Sequence, residues 1–327
     1  MRRFSAAFIV AVLIATSLPI RREVAGLSMA PDLIPGDRVV GAAVPWRDLW
    51  RFPATHERWI VVTPDGTEAI KRVAACGPAT LRIVDGDLEL DGRIAPPPPA
   101  VFVERATVVR EIAIAPGGEE LTVAADGEPI LDDAAFAPNE RRVLLPVADV
   151  GACIMVRVDR GATALPAAEV VIGFGDRLVR WRPSGPGRFA YLVGRIDRHF
   201  VGVAWSLRGN TAEGGPDHAS RPLRLPSHPP SAWSVADIWT GADGIGTPPM
   251  TVAVVGEAPV ARGVAVERVL LWRDVLHRPA ADGSTSWKLG SGEVFLLGDF
   301  PSGSIDSRQF GPVPRRALRH RVVAISR

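Results

Sequence analysis

Cysteine, lysine and tyrosine are nearly missing from this chain, which holds two, two and one of them in 327 residues. Cys76 and Cys153 are too few for a structural zinc centre, and the six histidines are dispersed. Either one disulfide or two separately buried thiols fits a pair so far apart in sequence. Basic residues are nearly all arginine and are scattered among apolar segments. With a formal net charge of only +2 and no patch interleaved with aromatics, this excludes a nucleic-acid surface. No internal repeat and no long amphipathic helix is visible. Long apolar runs are also scarce: the single example is Phe4 to Ile20, between Met1-Arg2-Arg3 and Arg21-Arg22.

What the chain does contain is apolar residues, at 47%, punctuated by 32 glycines and 30 prolines, enough for a core of about two domains. The run from Phe4 to Ile20 spans about 25 Å as a helix, the length of a short membrane anchor, and lacks a good leader cleavage site. Beyond it the pattern is of short strands. Trp59-Val62 and Glu68-Ala75, separated by Pro64-Asp65-Gly66, read as a hairpin. Leu81-Val84 and Leu88-Leu90, joined through Asp85-Gly86, read as another. Pro96 to Pro99 marks a boundary. Val108-Ile114, Arg142-Pro146, Cys153-Val158, Glu169-Phe174, Phe189-Val193, Val201-Ala204, Met250-Val255 and Val266-Trp272 predict an inserted β-sandwich. Asn210 to Pro230 reads as a polar loop in which Ser220 and His228 are solvated. Glu293-Leu297 and Arg321-Ile325 predict strands that return to the first domain.

The rare lysine carries the chemistry. Lys71 shares its strand face with Ala69 and Val73, so its amine has an apolar setting that favours the neutral, proton-accepting form. Arginine could not do this. A serine hydroxyl needs such a base, and Ser28 and Ser304 both lie in polar, turn-rich stretches. Asp32 is a concern, because a carboxylate near Lys71 would favour the ammonium.

Three segments together resemble the conserved boxes of type I signal peptidases. They are Ser28-Met29-Ala30-Pro31-Asp32-Leu33-Ile34-Pro35-Gly36-Asp37, Lys71-Arg72-Val73, and Gly298-Asp299 followed by Ser304-Ile305-Asp306-Ser307-Arg308. The chain departs from the family pattern at Asp32, at His56-Glu57-Arg58 and at Phe300-Pro301. The resemblance covers about a third of the chain, roughly 20–92 and 290–325. It implies a mainly β fold: an N-terminal membrane anchor (1–22), a discontinuous catalytic β domain (23–95 and 290–327), and an inserted β-rich domain (96–289). For the insert, Val266-Val275 suggests the closing part of a concanavalin-like sandwich. The same resemblance implies a membrane-anchored serine endopeptidase, with Ser28 as nucleophile and Lys71 as base. Gly26, Ser304, Asp306 and Arg308 would support the geometry and Met29 would contact substrate. No metal or organic cofactor is implied. The partners would be exported preproteins bearing signal peptides, and membrane lipid. The location would be single-pass in the bacterial plasma membrane, with the catalytic body outside. A tethered binding protein on the same fold, without catalysis, is the alternative.

Overall fold

The computed structural model of the protein describes residues 19–43, 53–113, 120–123, 147–159, 169–207, 224–238, 250–255 and 263–326. Two compact units divide the chain: Met1–Ile94 with His277–Arg327, and Ala95–Leu276. The second crossing falls earlier than the 289/290 read from sequence. Its cause is local, since Ser286–Leu289 is a strand hydrogen-bonded to Ala79–Val84 in the first unit.

In the first unit, seven strands form one antiparallel sheet: β1 (Ile20–Glu23), β2 (Arg38–Ala43), β3 (Arg58–Val62), β4 (Glu68–Cys76), β19 (Glu293–Leu297), β20 (Val313–Pro314) and β21 (Leu318–Ser326). Their order is β1-β2-β21-β3-β4-β19-β20, so the last strand of the chain sits between β2 and β3. A smaller sheet joins β18 (Ser286–Leu289), β5 (Ala79–Val84), β6 (Asp87–Leu90) and β7 (Arg93–Ile94). The hairpin turn at Asp85-Gly86 has both φ values positive, 55° and 97°, which suits a tight two-residue connection between twisted strands. The seven-stranded sheet buries apolar side chains on both faces. Met29, Leu33, Val39 and Ile60 form one cluster, and Trp59, Val61, Val73 and Leu296 form another. Successive residues of β3 therefore serve opposite cores, as the two-residue period of a strand requires.

The second unit is built from two antiparallel sheets. One has the order β15-β14-β13-β10-β17-β8, from β8 (Thr107–Ala113), β10 (Val150–Val158), β13 (Gly187–Ile196), β14 (His199–Ser206), β15 (Val235–Ile238) and β17 (Val264–Arg273). The other has the order β12-β11-β16-β9, from β9 (Glu120–Val123), β11 (Glu169–Phe174), β12 (Arg177–Trp181) and β16 (Met250–Val255). Val150, Ile154, Ile172, Phe174, Tyr191 and Val252 fill the core they share. On the other face of the six-stranded sheet, Phe102 packs edge-on against Trp272 at 4.7 Å. Phe102 belongs to α1 (Pro99–Arg105), which begins at the end of the four-proline run. Proline suits the first turn of a helix, where its missing N–H has no partner to lose. A composition reading that sees only stiffness there overlooks this helix.

Several expectations are corrected. The anchor was expected to run through residue 22, yet Ile20–Glu23 is strand β1, paired with β2 from Ile20↔Gly41 to Glu23↔Arg38. Among the described residues no helix is long and apolar enough to cross a membrane, and residues 1–18 of the proposed anchor lie outside them. The single-pass membrane location, and the fold class that included the anchor, are withdrawn on that finding. The concanavalin-like reading also changes: β17 is not a closing edge but lies between β10 and β8. Arg142-Pro146 and Ser220 fall outside the described residues, and His228 is exposed. Cys76 and Cys153 are free thiols, with Cys153 buried in the six-stranded sheet of the second unit.

Candidate functional site

Within the first unit, the three sequence segments meet around Lys71. Residues 24–37 form a compact loop closed by Val24 N donating to Asp37 O at 2.8 Å and Gly36 N donating to Val24 O at 2.9 Å. Met29 and Leu33 are driven into the core, 1% and 0% exposed, and this leaves the half-buried Ser28 on the loop surface. The backbone of Ser28 then contacts the C-terminal segment: its carbonyl accepts from Phe300 N at 3.1 Å. A Cβ at Gly298 would overlap both that carbonyl oxygen and Ser304 Oγ. Glycine is required here by close approach rather than by a special φ. Gly298→Ala is expected to lower the unfolding free energy by about 1–3 kcal/mol, the range for overpacking a tight interior. Denaturant unfolding checks this; unchanged stability would mean that the two segments are looser than described.

Lys71 is 3% exposed, opposite Trp59 on β3 and flanked on its own face by Ala69 and Val73. Its Nζ donates to Ser304 Oγ at 2.9 Å, and Ser304 is itself 4% exposed. Burial pushes the Lys71 amine below the ordinary lysine range. Asp306 and Asp299 oppose that shift and Arg308 adds to it.

Each of those carboxylates is already matched to a guanidinium. Asp306 accepts from Arg308 through both oxygens at 2.8 Å, and Asp299 accepts from Arg72 at 2.8 and 2.6 Å. Asp32, the feared neighbour, instead pairs with Arg58 at 2.5 Å and more distantly with Arg72 at 3.5 Å. The two carboxylates that act on the Lys71 amine, Asp306 and Asp299, thus lie within ion pairs rather than facing the amine alone.

The other expected site residues separate into clear roles. Asp306 also caps the short helix α2 (Ser307–Phe310), with a reciprocal bond from its own N–H to Gln309 Oε1 at 2.9 Å. Ser307, the competitor of Ser304, is spent elsewhere: its Oγ accepts from Leu296 N at 3.0 Å. Gly26 is exposed, and a Cβ there would meet nothing within 4 Å. Met29 does not present its side chain for substrate contact, because it lies in the core. Sequence reasoning missed the role of Arg58. The pairing register of β3 with β4 sets Arg58 opposite Arg72, and that register follows from the fold rather than from either strand's own alternation.

The expected catalytic dyad is corrected as well. Among the described residues no hydrogen bond joins Ser28 to Lys71, whose amine bonds to Ser304. No family model matches the sequence, and none of the curated proteins matches it. Among solved structures the chain is similar to Trypanosoma rangeli sialidase in complex with sialic acid, at 14% identity. That similarity covers 67% of this chain and 34% of the sialidase chain with a TM-score of 0.15, too low to carry an argument about fold or activity. The readings of a signal-peptidase-type serine endopeptidase and of its inactive, membrane-tethered counterpart are therefore withdrawn.

Proposed function

We propose that the first unit is a proton-transfer centre in which the Lys71 amine, uncharged, accepts a proton from a hydroxyl group or water brought to the Ser28 side of the site. Ser304 holds the amine in place without adding the negative charge that would keep it protonated. The observation that carries this reading is the 2.9 Å bond between two buried groups, set in a shell whose carboxylates are each bound to arginine. A general base works best when its proton affinity lies near the working pH, and desolvation moves a lysine in that direction. Neither a peptidase activity nor a membrane anchor belongs to the proposal.

The scarcity of lysine makes the test direct. With only Lys71 and Lys288 in the chain, protein carrying 13C at lysine Cε gives two side-chain signals, assigned with Lys288→Arg. The Lys71 signal is expected to titrate below the ordinary lysine value of about 10.4. Titration at that ordinary value would overturn the proton-transfer reading.

A further inference from the structure

We infer that Arg22 and Glu68 form a clasp that closes the curled sheet of the first unit over His320, and that protonation of His320 releases the clasp, freeing strand β1 and the start of the Ser28 loop. The clasp stands apart from the proton-transfer reading, since it concerns the backbone and does not involve the charge on Lys71.

Strands β2, β21 and β3 lie between β1 and β4 in the sheet. In a flat sheet, with neighbours about 4.8 Å apart, β1 and β4 would be about 19 Å from each other, too far for an ion pair. Yet Arg22 on β1 donates from Nε to Glu68 Oε1 on β4, and from Nη2 to Oε2 at 3.4 Å. The sheet is therefore curled, and the pair bridges its concave face. Ile20, Ile60 and Ile70 pack into one apolar cluster on that face, as the two-residue period from Arg22 and from Glu68 requires. The clasp also joins the two strands that carry the site. β1 runs at Glu23 into the Ser28 loop through Val24, whose N–H donates to Asp37 O at 2.8 Å, and Glu68 opens the strand that holds Lys71.

His320, on β21, shares the concave face. Its Cβ, Ile60 Cδ1 and Ile20 Cγ1 lie 2.8, 2.8 and 3.2 Å from where a Gly41 Cβ would stand, so the three side chains converge over the glycine. His320 Nδ1 is buried and has no hydrogen-bond partner among the described residues. Burial lowers the imidazole below the ordinary histidine range; Glu68 opposes that shift, and Arg22 and Arg319 add to it. The other charged groups of the packed strands are engaged elsewhere. Arg38 of β2 reaches Glu23 at 4.0 Å, Arg58 of β3 pairs with Asp32, Arg321 pairs with Glu57, and Arg21 alternates to the other face of β1. A proton on His320 thus adds a cation beside Arg22 and Arg319, in a place that disfavours charge. Opening β1 exposes the imidazole and takes Arg22 away, so the open form holds that proton more tightly than the clasped form. The clasp is therefore at full strength above the ordinary histidine value of about 6.5. It weakens as pH falls from there to the depressed value, below which the loss is complete.

The test is amide hydrogen exchange of the full chain between about pH 7.5 and about pH 5, a range that brackets the histidine value, read as protection factors. Protection of the β1 amides and of Val24 is expected to fall about three- to tenfold across it, while the β4 amides hold their protection. His320→Gln, neutral throughout, should abolish the fall. Arg22→Gln, at an exposed position, should lower β1 protection about two- to fivefold at neutral pH, the worth of one exposed ion pair. It should also shrink the fall and raise the His320 titration midpoint. This second variant keeps the test decisive if His320→Gln fails to fold, because it leaves the side chains over Gly41 unchanged. Constant β1 protection in the wild type, or a fall that survives in His320→Gln, would overturn the inference. An equal loss at β4 would do the same, since it marks unfolding of the whole unit rather than release of β1. An ordinary titration of Lys71 would sink the proton-transfer reading and leave the clasp standing.

Discussion

Asp306→Ala is expected to cost about 3–5 kcal/mol of unfolding free energy, the range for removing one partner of a buried ion pair. Asp306 is 0% exposed and does several things at once. It binds Arg308 through both oxygens, accepts from Gly298 N at 3.0 Å and Arg308 N at 3.2 Å, and caps α2. Alanine would leave the Arg308 guanidinium buried with only Pro301 O, at 2.7 Å, among those bonds. Arg308→Met is expected to cost less, since Asp306 would keep both backbone donors. The double variant should lie near the worse single change rather than at the sum, because the two residues share one network. Hydrogen exchange of the β4 and β19 amides reads this in the first unit alone. A loss under about 1 kcal/mol for Asp306→Ala would show that the pair is better hydrated than its burial indicates.

Lys71→Met is expected to change the pH dependence of stability more than stability at any one pH. Burial lowers the amine in the folded protein, so between the depressed folded value and the ordinary unfolded one the unfolded chain binds more protons. Stability contributed by this residue therefore rises with pH through that window. The penalty is complete below it, where the buried amine must carry its proton. Each unit of depression corresponds to about 1.4 kcal/mol at the acid end. Methionine carries no proton and suits an apolar setting of Trp59, Ala69 and Val73, so the variant should be the more stable protein at low pH. At high pH that advantage should vanish, because Ser304 Oγ has lost its donor at a cost of about 1 kcal/mol. Paired denaturant curves across pH check this. Parallel stability profiles for wild type and variant would mean that Lys71 titrates alike in both states.

Much of the strand pattern was legible from local chemistry. The β3-β4 and β5-β6 hairpins follow from alternating apolar residues broken by Pro64-Asp65-Gly66 and Asp85-Gly86. Short-range rules failed where a signal had two meanings. Pro96 to Pro99 reads as an extended spacer, yet its last member opens α1. Ile20 reads as the end of an apolar run, but cross-strand bonds to Gly41 make it the start of β1. The strand β12 (Arg177–Trp181) is hidden in the sequence because its alternation is inverted: Arg177 lies on the half-buried face with Val179 and Trp181, while the apolar Leu178 is exposed.

The same division holds in the site. That Lys71 occupies an apolar strand face was determined by sequence alone, since the two-residue period fixes Ala69 and Val73 beside it. Which hydroxyl meets the amine was decided only by tertiary structure, because Ser304 and Ser307 are chemically alike and differ only in what each approaches after folding. Asp32 gives the clearest physical reason. A one-dimensional reading can count its charge but cannot show that it pairs with Arg58 and, more distantly, with Arg72. The pairing of β3 with β4 sets Arg58 opposite Arg72, and the loop places Asp32 within reach of both. Charge balance is a property of the folded arrangement, while the charges themselves are written in the chain.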